Sequence, residues 1–258
     1  MRNSQRVKFP NANGQTLAGI LELPVTQTPR AYCVFSHCFT CTKDLKAIVR
    51  ISRRLAEHGW GVLRYDFTGL GESTGDFSHT TFHDNVSDLV AAADFLAENH
   101  RAPQYLIGHS LGGAASIVAA PRIPGVSAVV NIASPANTQH LAGFLSRENP
   151  DIEAVGAGTV VIGGRPHLIR QPMIQTLRNH DHPKHLRDLS LPLLVLFSPE
   201  DETLPFEQGL EMFRLAGGPV SFVTIDGADH LLVNQAADIQ FVADLINVWA
   251  SRFVKVAK

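Results

Sequence analysis

Three cysteines, Cys33, Cys38 and Cys41, are too few and too odd in number to form a disulfide framework. No apolar run approaches the roughly 20 residues that span a bilayer, so a membrane-spanning helix is not expected. Met1 to Asn13 carries arginines but no apolar stretch of the secretory kind, so a secretory signal is not expected either. Neither sign of charge dominates: 22 Lys and Arg face 24 Asp and Glu, a formal net charge of −2. The missing basic field argues against a nucleic-acid partner. Internal repeats, low-complexity tracts and flexible linkers are also absent. These absences lead to the expectation of a cytoplasmic protein with no nucleic-acid or membrane partner, acting on a small, uncharged molecule.

What is present is an ordinary globular balance, 45% hydrophobic and 18% charged over 258 residues. A chain this long can bury about 70% of its unfolded surface, so a core needs no metal or disulfide. Short apolar runs alternate with helical patterns. Strands are predicted at Val7–Phe9, Thr16–Leu23, Ala31–Ser36, Gly61–Tyr65, Gln104–Gly108 and Val126–Ile132. Between them, Ile48, Ile51 and Leu55 mark a helix over Asp44–His58, stopped by Gly59. Phe82, Val86, Leu89, Ala93 and Leu96 mark another, and Leu111–Ala120 is a helix of small residues.

Residues from Ser134 to about Ser190 break this rhythm, with several prolines, a Gly-punctuated apolar run and two predicted helices. The alternation then resumes: strand Leu193–Phe197, helix Phe206–Leu215, strand Val220–Ile225, helix Gln235–Phe253. Such alternation implies an α/β fold, a mostly parallel sheet with helices on both faces. The expected organisation is a core of residues 1–133 and 191–258, with a small cap insertion at 134–190 over the carboxyl edge of the sheet, where such folds bind ligands.

The chemistry-bearing motif is Gly108-His109-Ser110-Leu111-Gly112, which fits G-x-S-x-G between a predicted strand and a helix. A serine on that sharp turn projects above the sheet. The following helix aims its N–H groups and positive dipole end at a developing oxyanion. A serine hydroxyl needs a base to take its proton. Of twelve histidines, His230 in Gly227-Ala228-Asp229-His230 lies after a strand and before the last helix, on the same sheet edge. The orienting acid should fall between serine and histidine in chain order. Asp201 follows strand Leu193–Phe197 and is preferred to Glu200, Glu202, Asp226 and Asp229. Such an acid holds one histidine tautomer and stabilises the imidazolium without taking the proton. Activity should therefore fall on the acid side as His230 protonates. His109 reads as a packing residue. One oxyanion donor should be the N–H of Leu111, and the other should come from the loop after Ala31–Ser36.

That loop carries a resemblance. His37-Cys38-Phe39-Thr40 is similar to the His-Gly-Phe-Thr loop of cinnamoyl and feruloyl esterases in the α/β-hydrolase superfamily. The longer run to Asp44 resembles the α/β-hydrolases associated with OsmC-like domains. Asp66-Phe67-Thr68-Gly69-Leu70-Gly71-Glu72-Ser73 matches the superfamily's D-x-x-G-x-G-x-S loop. Gly163-Gly164-Arg165-Pro166, Pro199-Glu200-Asp201-Glu202-Thr203 and Asp226-Gly227-Ala228-Asp229-His230-Leu231 are similar to the same subgroup. The resemblance implies an eight-stranded, mostly parallel sheet with a small cap, and it implies that Phe39 supplies the second oxyanion N–H. Cys38 stands where most of the superfamily has glycine, so its side chain should reshape the hole or narrow the acyl pocket. The chain contains no OsmC-like segment, so no peroxide chemistry is carried over.

Other signals are weaker. Cys38-x-x-Cys41 could be a redox pair, but the surroundings are not thioredoxin-like, and two small packed residues are expected. His180-Asp181-His182-Pro183-Lys184-His185 lacks helical metal-ligand spacing and reads as a solvated segment. Gly69-x-Gly71 has its next glycine at Gly75, the wrong spacing for a dinucleotide loop, and reads as a brace at the edge of the active site. No cofactor or metal is expected. The expected reaction is hydrolysis of a small, medium or aromatic carboxylic ester through an acyl-enzyme. The rivals are amide, thioester or C–C hydrolysis or perhydrolysis by the same groups, and a non-catalytic ligand-binding protein of this fold.

Overall fold

The computed structural model describes residues 3–253. The chain opens with an antiparallel hairpin, β1 (Asn3–Pro10) and β2 (Thr16–Leu23). There follow β3 (Ala31–Ser36), α1 (Lys46–Glu57), β4 (Trp60–Tyr65), α2 (Phe82–Asn99), β5 (Tyr105–His109), α3 (Leu111–Ala119) and β6 (Ala128–Ile132). Between β6 and the next core strand lie α4 (Gln139–Glu148), α5 (Asp151–Ala154), β7 (Ala157–Ile162), β8 (Arg165–Arg170), α6 (Gln171–Asn179) and α7 (His182–Asp188). The chain then runs through β9 (Leu193–Phe197), α8 (Phe206–Leu215), β10 (Val220–Thr224) and α9 (Ala236–Ala250).

Eight strands form one sheet in the order β1-β2-β4-β3-β5-β6-β9-β10. From β4 to β10 every pairing is parallel, and β2 alone runs against the rest. The α/β-hydrolase fold expected above is therefore the fold observed. The central strands are buried on both faces, which is why they read as continuous apolar runs rather than alternating ones.

The period of two reappears in which core each residue enters. Val34, Leu106, Val129 and Val195 pack with α2, α3 and α8 on one face. Cys33, Phe35, Ile107, Val130 and Leu194 pack with α1 and α9 on the other. Helix α1 buries Ile48, Ile51 and Leu55, as their spacing predicts. Helix α2 begins at a capping box in which Thr81 and Asp84 each satisfy the other's backbone N–H.

Two differences from the sequence reading concern residues 133–192. Four helices stand where two are predicted; α5 and α7 are short, and each is entered through a proline, which masks the helical period. The Gly-punctuated run is a β-hairpin, β7–β8, turning at Gly163 (φ 57°) and Gly164 (φ 75°), a left-handed pair that glycine adopts at no steric cost.

Candidate active site

Strand β5 ends at His109 and α3 starts at Leu111, so Ser110 alone makes the turn between them. Its backbone sits at φ 52°, ψ −122°, a conformation that costs a non-glycine residue about 1–3 kcal/mol. Close packing holds the turn. A Cβ on Gly112 would lie 2.4 Å from the Ser36 carbonyl oxygen and 2.5 Å from that of His37, so the first turn of α3 rests directly on the end of β3. The N–H of Leu111, at the first helical position, has no intrahelical partner. Ser110 is half-buried, and among the described residues its hydroxyl has no hydrogen-bond partner. Contacts between nucleophile and base commonly tighten only when substrate is bound.

Asp201 and His230 leave the sheet after β9 and β10, on the same edge as Ser110. His230 Nδ1 lies 2.7 Å from Asp201 Oδ2. The other carboxylate oxygen accepts the N–H groups of Thr203 at 2.8 Å and Leu204 at 2.9 Å. Burial works against the Asp201 charge, but the His230 contact and these two N–H groups outweigh it and hold the carboxyl below the usual range. The carboxylate is therefore ionised, and its position fixes the His230 proton on Nδ1, leaving Nε2 free to accept.

His109 is more than packing. Its Nε2 donates to the His230 carbonyl oxygen at 2.7 Å, and the two rings lie 5.1 Å apart. Burial, followed by the neighbouring His230, pushes the His109 imidazole down to about 3, so the ring is neutral. The residue before the nucleophile thus ties the histidine loop to the serine turn. A histidine beside the serine was the available sequence signal, but its partner lies 121 positions away.

The loop after β3 is braced from both ends. His37 is fully buried, its Nε2 accepts the N–H of Phe67 at 3.2 Å, and its Nδ1 donates to the Cys38 carbonyl at 2.7 Å. Burial, opposed by that bond to the Cys38 carbonyl, pushes the His37 imidazole down to about 4 and keeps it neutral. The peptide is trans, so with the Cys38 carbonyl held by His37 the Phe39 N–H projects to the opposite side. At the other end, the buried Lys43 ammonium lies 2.8 Å from both Asp66 and Glu72 and 3.0 Å from Asp44. The Asp66-to-Ser73 loop is thereby fixed to the Phe39 loop, the brace expected of it.

Between these anchors the sequence reading needs correction: Cys38 and Cys41 are not two separate packed residues but a disulfide. Cys41 N–H also donates to the Cys38 carbonyl at 3.2 Å. Three cysteines in all make pairing look improbable from a count, yet a pair three positions apart needs only a tight turn.

Four core loops thus bring Ser110, a charge-oriented histidine and two candidate N–H donors to one edge of a mostly parallel sheet. The model of the alpha/beta hydrolase family matches residues 33–245, from β3 into α9. The chain belongs to the alpha/beta hydrolase family.

Relatives within and around this family carry hydrolase names. The chain is similar to the esterase domain of a Rhodothermus marinus protein, with 38% identity, a TM-score of 0.79, and coverage of 98% of this chain and 100% of that one. Est1E from Butyrivibrio proteoclasticus, in a structure with ferulic acid bound, superposes with a TM-score of 0.82 at 20% identity, over 96% of this chain and 99% of that one. At that identity the likeness concerns the fold. The mitochondrial palmitoyl-protein thioesterase ABHD10 of Mus musculus is 27% identical over 192 residues, 71% of this chain. The chain spans 63% of that relative's length.

A cleft of about 370 Å³ opens beside the Phe39 loop, lined by Thr40 and Thr42, by Leu70, Phe77 and Ser78 of the Asp66 loop region, and by His167 of β8. The Phe77 ring links the layers, 5.5 Å from Phe39 and 6.0 Å from His167. A larger cleft of about 460 Å³, lined by Glu22, Arg53 and Glu57, lies away from Ser110, beneath α1 and the β1–β2 hairpin.

The His180–His185 segment is solvated only in part: Asp181 and Lys184 are exposed, as expected, but the histidines turn inward. His182 is fully buried, with its Nδ1 3.4 Å from His180 Nε2, and the His180 ring stacks on that of His185 at 4.8 Å. Burial pushes His182 down to about 3 and His180 to about 4. Among the described residues no cluster of three His, Cys, Asp or Glu side chains is placed to hold a metal ion.

Proposed function

We propose that this alpha/beta hydrolase is a carboxylic ester hydrolase that works through an acyl-enzyme. The observation that carries the reading is the Asp201–His230 hydrogen bond on the same sheet edge as Ser110, which is held at positive φ. Ser110 Oγ attacks the carbonyl carbon while His230 Nε2 takes its proton. Asp201 keeps the ring in the accepting tautomer and stabilises the imidazolium. The N–H groups of Leu111 and Phe39 receive the oxyanion. The imidazolium returns its proton to the leaving alcohol, and water then repeats the sequence to release the acid. The esterase name of the 38%-identical Rhodothermus marinus domain supports ester chemistry.

Small, medium or aromatic acyl groups are the proposed substrates. The aromatic run from Phe39 through Phe77 to His167, beside the cleft, supports an aromatic acyl group. Residues 134–190 act as the cap over a core of 1–133 and 191–258, and within the superfamily the chain groups with the OsmC-associated hydrolases. The protein works in the cytoplasm, with a small-molecule ester as its partner and no nucleic acid or membrane. A second reading, thioester hydrolysis by the same groups, is favoured by the thioesterase name of the ABHD10 relative.

The test is p-nitrophenyl ester hydrolysis from C2 to C12, with methyl ferulate and an acyl thioester in parallel, using wild type and Ser110→Ala. Ester turnover that falls at least about 10³-fold in the variant is the expected result. Turnover of the thioester alone would transfer the assignment to the second reading, and inactivity on every substrate would remove both.

A further inference from the structure

We propose that Cys38 and Cys41 form a thiol–disulfide exchange site, open to a small dithiol reductant, whose redox state sets the strength of the oxyanion hole. The proposal rests on the assignment of Phe39 as an oxyanion donor. The bond closes a ring around Phe39 and Thr40, so the donor lies inside the cross-linked turn. That turn is not at ease. Thr40, a β-branched residue, sits at φ 60°, in the left-handed region that such residues avoid. The disulfide and the bond from Cys41 N–H to the Cys38 carbonyl both span the strained residue and hold it there.

The flanks do not depend on the bridge. His37 anchors one side through Phe67, and Lys43 anchors the other through Asp66, Asp44 and Glu72. A loop this short also restrains the unfolded chain less than a long one would. Reduction should therefore leave the fold standing and loosen only the four residues that carry the donor.

Access is asymmetric. Cys38 is 4% exposed, whereas Cys41 is half-buried between Thr40 and Thr42, which both line the 370 Å³ cleft. A reductant thiolate entering by the cleft attacks Cys41 Sγ. The Cys38–Cys41 bond breaks, and a mixed disulfide with Cys41 forms as Cys38 leaves as a thiolate and takes a proton. The second thiol of the reductant attacks its own sulfur in the mixed disulfide and frees Cys41. The reductant ends as a cyclic disulfide, and two electrons and two protons pass to the protein. An oxidising disulfide reverses the sequence. The remaining cysteine, Cys33, lies fully buried in β3 with its thiol pushed up by burial, so it takes no part. In reducing compartments, disulfides that do form are typically transient, catalytic or redox-sensing.

The test treats the folded wild-type protein with dithiothreitol, then with glutathione disulfide. Thiols are counted by alkylation and mass spectrometry after denaturation, folding is followed by circular dichroism, and p-nitrophenyl acetate kinetics are read at each stage. The expected count rises from one thiol to three with the spectrum unchanged. The kcat should fall about tenfold, a partial loss of one donor, with KM within about twofold, and should recover on reoxidation. Cys38→Ser/Cys41→Ser should match the reduced enzyme and ignore the reagents, and Cys33→Ser should still switch. A bridge that resists reduction until the protein unfolds, or a kcat equal in both states, would overturn the proposal. If neither state hydrolyses any ester, ester hydrolysis itself fails, and the rate of fluorophosphonate labelling at Ser110 decides. Faster labelling in the oxidised state supports the switch; equal or absent labelling in both overturns it.

Discussion

Asp201 contributes through both of its oxygens, one held by backbone N–H groups and one by His230. Asp201→Asn keeps the size but offers an amide, which favours the wrong imidazole tautomer. A fall in kcat of about 10⁴-fold is expected in steady-state assays. His109→Phe keeps the ring volume beside His230 but loses the donor to its carbonyl. The expected result is a kcat reduced about tenfold and partial rescue by His109→Gln, which can still donate; equal activity of all three proteins would return His109 to simple packing. At this scale the sequence makes Ser110, His230 and Asp201 nameable, because a five-residue motif and chain order are local information. His37, Lys43 and the His109 bond are not legible in the same way. Each takes its role from a partner 23 to 121 positions distant, and no spacing announces it.

Helix α3 meets strand β3 with almost no space at Gly112, whose absent side chain leaves room only for the Ser36 and His37 carbonyls. Gly112→Ala places a methyl against two backbone oxygens that cannot rotate away. The helix must shift, and the Leu111 N–H shifts with it. Esterase kcat should drop about 10²-fold or more, accompanied by a lowered Tm on calorimetry; a variant with wild-type kcat would show that the contact does not set the donor's position. Core elements were legible because burial on both faces writes continuous apolar runs, as in Leu193–Phe197, and because Ile48, Ile51 and Leu55 repeat with a helical period. Residues 133–192 were not. In β7, only Val160 is buried, so the strand has no clean alternation, and α5, with four residues, is too short to show a period.

Over the described residues, three buried histidines, His37 at about 4 and His109 and His182 at about 3, are neutral, as is half-buried His180 at about 4. In the unfolded chain each would protonate near 6.5. As pH falls below that value the unfolded state takes up protons that the folded state refuses, so stability is lost from about pH 6.5 down to the folded values and levels off beneath them. Asp201, held below its usual range, adds to the loss at lower pH, while Asp88, pushed up by burial, opposes it. Urea midpoints should therefore decline steadily from pH 7 to pH 4, and His182→Gln should flatten the decline; a midpoint constant over that range would contradict the buried neutral cluster.

Strands β6 and β9 are parallel neighbours, yet the chain takes residues 133–192 to pass from one to the other, where about a dozen suffice for such a crossing. The surplus begins and ends on the frame, and its Leu145, Ile152, Leu177 and Leu186 pack into the core that α2 and α3 share with the sheet. Exchange of its exposed parts, such as the β7–β8 turn at Gly163 and Gly164, should leave the strand order, the serine turn and the Asp201–His230 pair in place. What the molecule accepts can therefore drift, or be bred, at a pace of its own while the reaction it performs is inherited unchanged.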